Sequence, residues 1–162
     1  MDKLTKLADF LTQHLQGEHS IALNAMILDL TDAAKKIATA IDSGALQGNM
    51  GNLEAINVQG ETQKALDVIS DNLFVEAAQK SGYFAGLVSD LHSDHLDPAL
   101  ADFLQTGVKQ LCAGYAMYGT STILMLTTGN GVNGFTLDRE KNDFYLTHPS
   151  MQIPVDTQEF AC

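Results

Sequence analysis

The chain is predicted to be an α+β protein, with N-terminal amphipathic helices packed on a mainly antiparallel sheet. Three observations point there. In the first half, apolar residues recur at three- and four-residue steps, the spacing of helices with one buried stripe. The second half breaks into short apolar runs bounded by turn residues, the pattern of strands. Those strands follow one another with short connections, so an antiparallel meander is favoured, and helices first with strands later gives the α+β class. A length of 162 residues with 45% apolar content supplies one core and one domain over residues 1–162.

Leu4, Leu7, Phe10, Leu11 and Leu15 keep helical phase and Gly17 ends the first helix. A longer helix is expected from Ser20 to Asp42, with Leu23, Met26, Ile27, Leu30, Ala34, Ile37 and Ile41 on one side, Ser20 placed to cap its start, and Ser43-Gly44 to stop it. From Gly44 to Gly60, Gly48, Asn49, Gly51 and Asn52 interrupt any period, so the segment reads as a mobile loop anchored by Leu53 and Ile56. The next helix carries Leu66, Ile69, Leu73, Phe74 and Ala77 inward and stops at Ser81-Gly82, where glycine takes the left-handed cap. Tyr83 to Ser89 reads as a buried strand. Asp97-Pro98 opens a short helix through Leu104. Strands are expected over Val108–Gly119, Ser121–Thr128 and Val132–Asp138, with Gly129-Asn130-Gly131 turning the chain between the last two, and Glu140-Lys141-Asn142 leading into Asp143–Thr147. Met26, Phe74, Met117, Met125 and Phe135 are expected in the core, and His14, His19 and His148 stand alone.

Twenty acidic residues against nine basic ones give a net charge of -11, which excludes a nucleic-acid binder that tracks the backbone and anchoring on an anionic membrane. A phosphorylated ligand needs cations between itself and such a protein. Cys112 and Cys162 form no disulfide framework and suit a reducing cytosol. Neither a leader nor a membrane-spanning apolar run is evident. A soluble, cytoplasmic protein is expected.

Glu61 and Asp67 flank the start of the third helix, directly after a glycine-rich loop. Six residues of α-helix turn about 600° and leave two side chains roughly 120° out of phase, so the acids converge only if the helix begins after Glu61. Two carboxylates so placed can serve a metal-bound water; otherwise each simply favours a helix N-terminus, by about 0.3–1 kcal/mol. Asp90, His92, Asp94, His95 and Asp97 form a second cluster. His92 and His95 are spaced to share a helical face and, with carboxylates nearby, can hold a zinc-type cation, although a structural zinc usually takes four ligands and such loops are commonly solvated.

Two long segments, NVQGETQKALDVISDNL (Asn57–Leu73) and LCAGYAMYGTSTILMLTTGNGVNGFTLDR (Leu111–Arg139), resemble class I fructose-1,6-bisphosphatases of the inositol-phosphatase-like sugar phosphatase superfamily. The resemblance implies that Glu61, on a dynamic loop, and Asp67 are the catalytic acids that activate the attacking water, with glutamate standing where the family more usually has aspartate. It also implies magnesium as cofactor, fructose-1,6-bisphosphate as substrate, hydrolysis of its 1-phosphate in gluconeogenesis or the Calvin cycle, and a homo-oligomer.

In Ser89-Asp90-Leu91, Asp90 matches the first of two metal-binding glutamates of the family, while Leu91 replaces the second and binds no metal. The family's Asp-Pro-Leu-Asp-Gly-Ser-Ser motif is absent. Asp97-Pro98-Ala99-Leu100-Ala101-Asp102 echoes it with the second acid displaced and no glycine and serines after it, and reads as a capped surface helix.

An internal deletion is therefore expected near 91–102. The match resumes at Asp102-Phe103-Leu104-Gln105, runs to Pro154, and stops at Cys162 before the family's distal-phosphate segment. Gly17-Glu18 occupies the place where many members bind AMP at a helix N-terminus, but His19 and Ser20 depart from that pattern, and no AMP site is expected. The implied reading is an impaired or inactive sugar-phosphate phosphatase. Two alternatives are a non-catalytic interaction subunit or gene fragment with an open sheet edge, and a zinc-type module around His92 and His95.

Overall fold

A computed structural model describes residues 4–44, 52–56, 62–84, 87 and 103–157. The chain forms two compact units, one from Met1–Phe10 with Gln110–Cys162 and the other from Leu11–Lys109.

In the second unit, α2 (Ser20–Asp42) has the bounds its periodicity predicts. Its start differs: His19 is the N-cap and makes no side-chain capping bond, so Ser20 is the first helical residue and not the cap. Leu23, Ile27, Ala34 and Ile37 are buried as expected, joined by Thr31, Ala33 and Ala38. Thr31 satisfies its hydroxyl locally, donating to the Leu28 carbonyl at 2.8 Å.

The partner of α2 is α3 (Ala65–Ser81), packed along it. Small side chains at Ala33, Ala38 and Ala78 leave these helix surfaces with little side-chain bulk. The helix ends where predicted, at Gly82 with φ +69°. Its buried face is not the predicted one: Val75 and Ala78 are the buried positions and Phe74 is exposed. The apolar residues of α3 spread around the helix, so several stripes were available to periodicity, and packing against α2 selected one.

Residues 44–60 are not wholly a loop, because Asn52–Ile56 is a strand (β1) paired antiparallel with Thr62–Lys64 (β2). Backbone pairing with β2, six residues further along, supplies hydrogen bonds that glycine and asparagine content alone does not signal. Tyr83, Phe84 and Leu87 belong to no strand, and Tyr83 is half exposed, against the expectation of a buried strand there. Phe103 is helical, while the rest of the expected 97–104 helix up to Asp102 lies outside the described residues.

The first unit is the expected antiparallel meander. Strands β3 (Ala113–Tyr118), β4 (Thr122–Thr127), β5 (Val132–Asp138) and β6 (Asp143–Met151) lie in the order β3-β4-β5-β6. The first strand starts later than predicted, since Gly107–Lys109 form a 3-10 turn with Val108 exposed.

The registers Leu124↔Phe135 and Leu137↔Phe144 place these apolar residues on one sheet face. Phe135 and Phe144 there are 0% and 1% exposed. Phe10, from α1 (Leu7–His14), meets Phe135 edge-on at 5.2 Å between ring centres and 72° between planes. Leu7 and Leu11 are buried too, whereas Leu4 lies ahead of the helix and is exposed.

Thr5 and Lys6 reach the outer edge of β6: the Leu146 N–H donates to the Thr5 carbonyl at 2.8 Å, and Lys6 pairs with Asp143 at 2.6 Å. That contact holds the Lys6 ammonium above its usual range. The 138–143 turn is tied by Asp138, whose Oδ1 accepts the N–H groups of Glu140 and Lys141 at 3.1 and 3.0 Å. Lys141 donates to Asp138 Oδ2 and holds that carboxyl below the usual range.

Strand β6 continues past Pro149, beyond its predicted end at Thr147. A register shift makes this possible: Ser150 sits at φ +48° and its N–H donates to Asn133 Oδ1 at 2.9 Å. Proline is tolerated because β6 is an edge strand. Met117, expected in the core, is 47% exposed. His148 is not isolated, since its ring Nδ1 bonds the Thr147 hydroxyl at 2.8 Å.

Candidate functional site

The ribbon β1–β2 feeds straight into α3, whose N-cap, Lys64, is in extended conformation with no side-chain capping bond. In the ribbon Asn52 pairs with Lys64 and Ile56 with Thr62. Asp67 lies in the first turn of α3 and is exposed. A carboxylate there is favoured by the free N–H groups and dipole of an uncapped helix start. It also remains open to solvent.

The helix begins at Ala65, after Glu61, which is the geometric condition for the two acids to converge. Glu61 itself lies outside the described residues, as do Asp90, His92, Asp94, His95 and Asp97. The structure therefore places one of the three predicted site residues and gives the helix start that the second requires. Among the described residues, no group of three or more His, Cys, Asp or Glu side chains is arranged to hold a metal ion. The predicted donor set, Glu61, Asp67 and Asp90, is all carboxylate, which suits a hard divalent cation, but it is short of the six or more oxygens such ions take.

Gly17, at φ +99°, precedes α2, so Gly17-Glu18 stands at the start of that helix as the sequence implied.

Two features escaped sequence reasoning. A cleft of about 380 Å³ lies between α2 and α3, lined by charged residues that include Asp29, Asp32, Lys36, Glu76 and Lys80, and by Tyr83. The three- and four-residue spacing of Asp29, Asp32 and Lys36 was the available signal. In the sheet, Tyr118 and Thr122 are register partners whose buried hydroxyls have no hydrogen-bond partner among the described residues. Burial pushes the Tyr118 phenol up to about 12, and also raises the Cys112 thiol.

A family model described as fructose-1-6-bisphosphatase, N-terminal domain, matches residues 6–99 and 92–149. Among curated proteins, a class 1 fructose-1,6-bisphosphatase of Methylobacillus flagellatus is 40% identical over 200 residues, covering 98% of this chain and 60% of the relative. One from Halorhodospira halophila is 37% identical over 195 residues, covering 93% and 58%. The chain thus spans about three fifths of the length of these relatives. Both alignments are longer than the 162 residues available to fill them, so the relatives carry residues within the aligned region that this chain lacks.

Among solved structures, the Leishmania major fructose-1,6-bisphosphatase in holo form superposes with a TM-score of 0.77 at 24% identity, over 94% of this chain and 60% of that one. The apo form gives a TM-score of 0.67 at 20% identity, over 94% and 59%. At these identities the likeness concerns the fold.

Proposed function

Given that the chain belongs to the fructose-1,6-bisphosphatase family, we propose that it carries the N-terminal part of a metal-dependent sugar-phosphate phosphatase with an incomplete metal site. Its reaction class is hydrolysis of the 1-phosphate of fructose-1,6-bisphosphate, and as this chain alone it is slow or inactive. The single observation behind this reading is the pair of family matches that meet at residues 92–99, in alignments longer than the chain. We place the missing segment near 91–102, between Asp90 and the strand β3.

In this reading Asp90 would be a ligand for magnesium, and the exposed Asp67 or Glu61 would serve as the base that takes one proton from the attacking water. Bound magnesium supplies neutralisation of the phosphate and a lowered pKa for its water. What this chain contributes is placement: the start of α3 fixes Asp67, and Glu61 precedes that start in the sequence. Even if Glu61 and Asp67 were counted as ligands beside Asp90, an ion would be short of oxygen donors, and a chain with a net charge of -11 repels a bisphosphate wherever cations are not held.

Among the described residues no helix is long and apolar enough to cross a membrane, and the proposed setting is the cytoplasm. A second reading, a non-catalytic interaction subunit that self-associates, is supported by the exposed apolar residues Leu111, Tyr115 and Met117.

The test is phosphate release from fructose-1,6-bisphosphate by the purified chain over a magnesium titration, alongside the Asp67→Asn and Glu61→Gln variants. The expected result is a rate far below that of the Methylobacillus relative, with any residual magnesium-dependent rate lowered at least about a hundredfold by either variant, the ordinary weight of a general base. Residual turnover unchanged by both variants would remove these acids from the mechanism.

A further inference from the structure

The cleft between α2 and α3 has no part in the reaction proposed above. Its walls belong to these helices and the turn after α3, and Ala33 and Ala77 line it with little side-chain bulk. They leave about 380 Å³ of space, within the range of small-molecule sites. Glu76 follows Asp67 by nine residues, about 13 Å along the helix axis, so an occupant would not cover that acid.

Both helices bring to the cleft an acid and a lysine four residues apart, Asp32 with Lys36 and Glu76 with Lys80. Such neighbours on a helix surface ordinarily attract and pair. Neither pair closes here. Asp32 turns to Lys35 instead, at 2.9 Å. Among the described residues, Lys36, Glu76 and Lys80 form no ion pair, and neither does the half-buried Asp29.

Charge decides what the space can take. With Asp32 committed to Lys35, the acids Asp29 and Glu76 and the lysines Lys36 and Lys80 remain, so the cleft is balanced although the chain carries -11. A simple anion would meet two carboxylates there, and a polyamine two ammonium groups. Among the described residues no three acidic or metal-binding side chains converge as a metal ion needs. A zwitterion suits both halves of the lining. Tyr83, 48% exposed, adds an aromatic wall against which a second ring can pack.

We propose that this cleft binds a free aromatic amino acid. Its carboxylate is taken by Lys36 and Lys80, its ammonium by Asp29 and Glu76, and its ring lies against Tyr83 and the neighbouring alanines. Each charged contact replaces one that the two helices leave unmade.

Isothermal titration calorimetry of the full chain with L-phenylalanine tests this, beside phenethylamine, which lacks the carboxylate, and 3-phenylpropionate, which lacks the ammonium. L-phenylalanine is expected to bind at millimolar concentration or below, and each one-charge analogue at least about tenfold more weakly, the ordinary weight of a hydrogen bond to a charged group. Lys36→Met with Lys80→Met is expected to weaken L-phenylalanine at least about tenfold and leave phenethylamine no weaker than before. Asp29→Asn with Glu76→Gln is expected to weaken L-phenylalanine equally and spare 3-phenylpropionate. Unchanged far-ultraviolet circular dichroism shows that both variants keep the fold. No heat from L-phenylalanine at millimolar concentration, analogues that bind as well as the zwitterion, or a lysine variant that loses phenethylamine along with L-phenylalanine would each overturn the proposal.

Discussion

Phe135 has no exposed surface and stacks edge-on with Phe10, so it joins the start of the chain to the centre of the sheet through one aromatic contact. Phe135→Ala removes that contact and leaves a cavity, and urea unfolding is expected to show a loss of about 3–5 kcal/mol. Tyr118 presents a different residue-scale problem. Its phenol is held near 12 by burial, against an ordinary value of 10.0. The fold therefore favours the protonated form. That contribution is present in full below pH 10 and is lost as the pH rises from 10 through 12. An ultraviolet titration should show a phenolate appearing near pH 12 that vanishes in Tyr118→Phe. The variant should also hold its stability better above pH 10. At this scale, the place of Asp67 was legible in sequence because a glycine-rich stretch followed by helical periodicity marks a helix start. The buried hydroxyls of Tyr118 and Thr122 were not, since nothing local tells a buried strand tyrosine from an exposed one.

Elements were legible where periodicity and punctuation agreed. For α2, a sustained apolar stripe ended by Ser43-Gly44 gave both bounds, and the meander followed from turn residues at 129–131 and 140–142. Only the cap of α2 was misread, as serine is a common cap but His19 holds the position here without a side-chain bond. For α3, Gly82 marked the end correctly while the buried face was misassigned, because packing against α2 decides between stripes of similar hydrophobicity. The strand β1 was missed because Gly48, Asn49, Gly51 and Asn52 interrupt the apolar alternation that marks a strand, while its pairing with β2 does not depend on that alternation. A Cβ added at Gly82, where φ is +69°, would meet nothing within 4 Å, so the cost of Gly82→Ala is conformational alone. Thermal unfolding of that variant should report a loss of roughly 1–2 kcal/mol, and an unchanged midpoint would mean that the cap is not held in the native state.

At the scale of the whole molecule, the two sequence blocks identified the family and the comparisons bear that out, while the fold class follows from the order of helices and strands. Activity does not follow from fold. The relatives align over more residues than this chain has, and we attribute the missing ones to the segment that completes the oxygen ligands around the metal. Helices and sheet survive that loss because each buries its own apolar residues, α2 against α3 and Phe10 against Phe135. A metal site has no such local sufficiency, since its ligands must converge from several segments at once. The most direct measurement is magnesium-dependent phosphate release from fructose-1,6-bisphosphate by this chain and by a graft carrying the corresponding segment of the Methylobacillus relative between Asp90 and Asp102. The account predicts negligible release by the native chain and a clear gain in the graft, and a native chain that works as fast as the graft would contradict it.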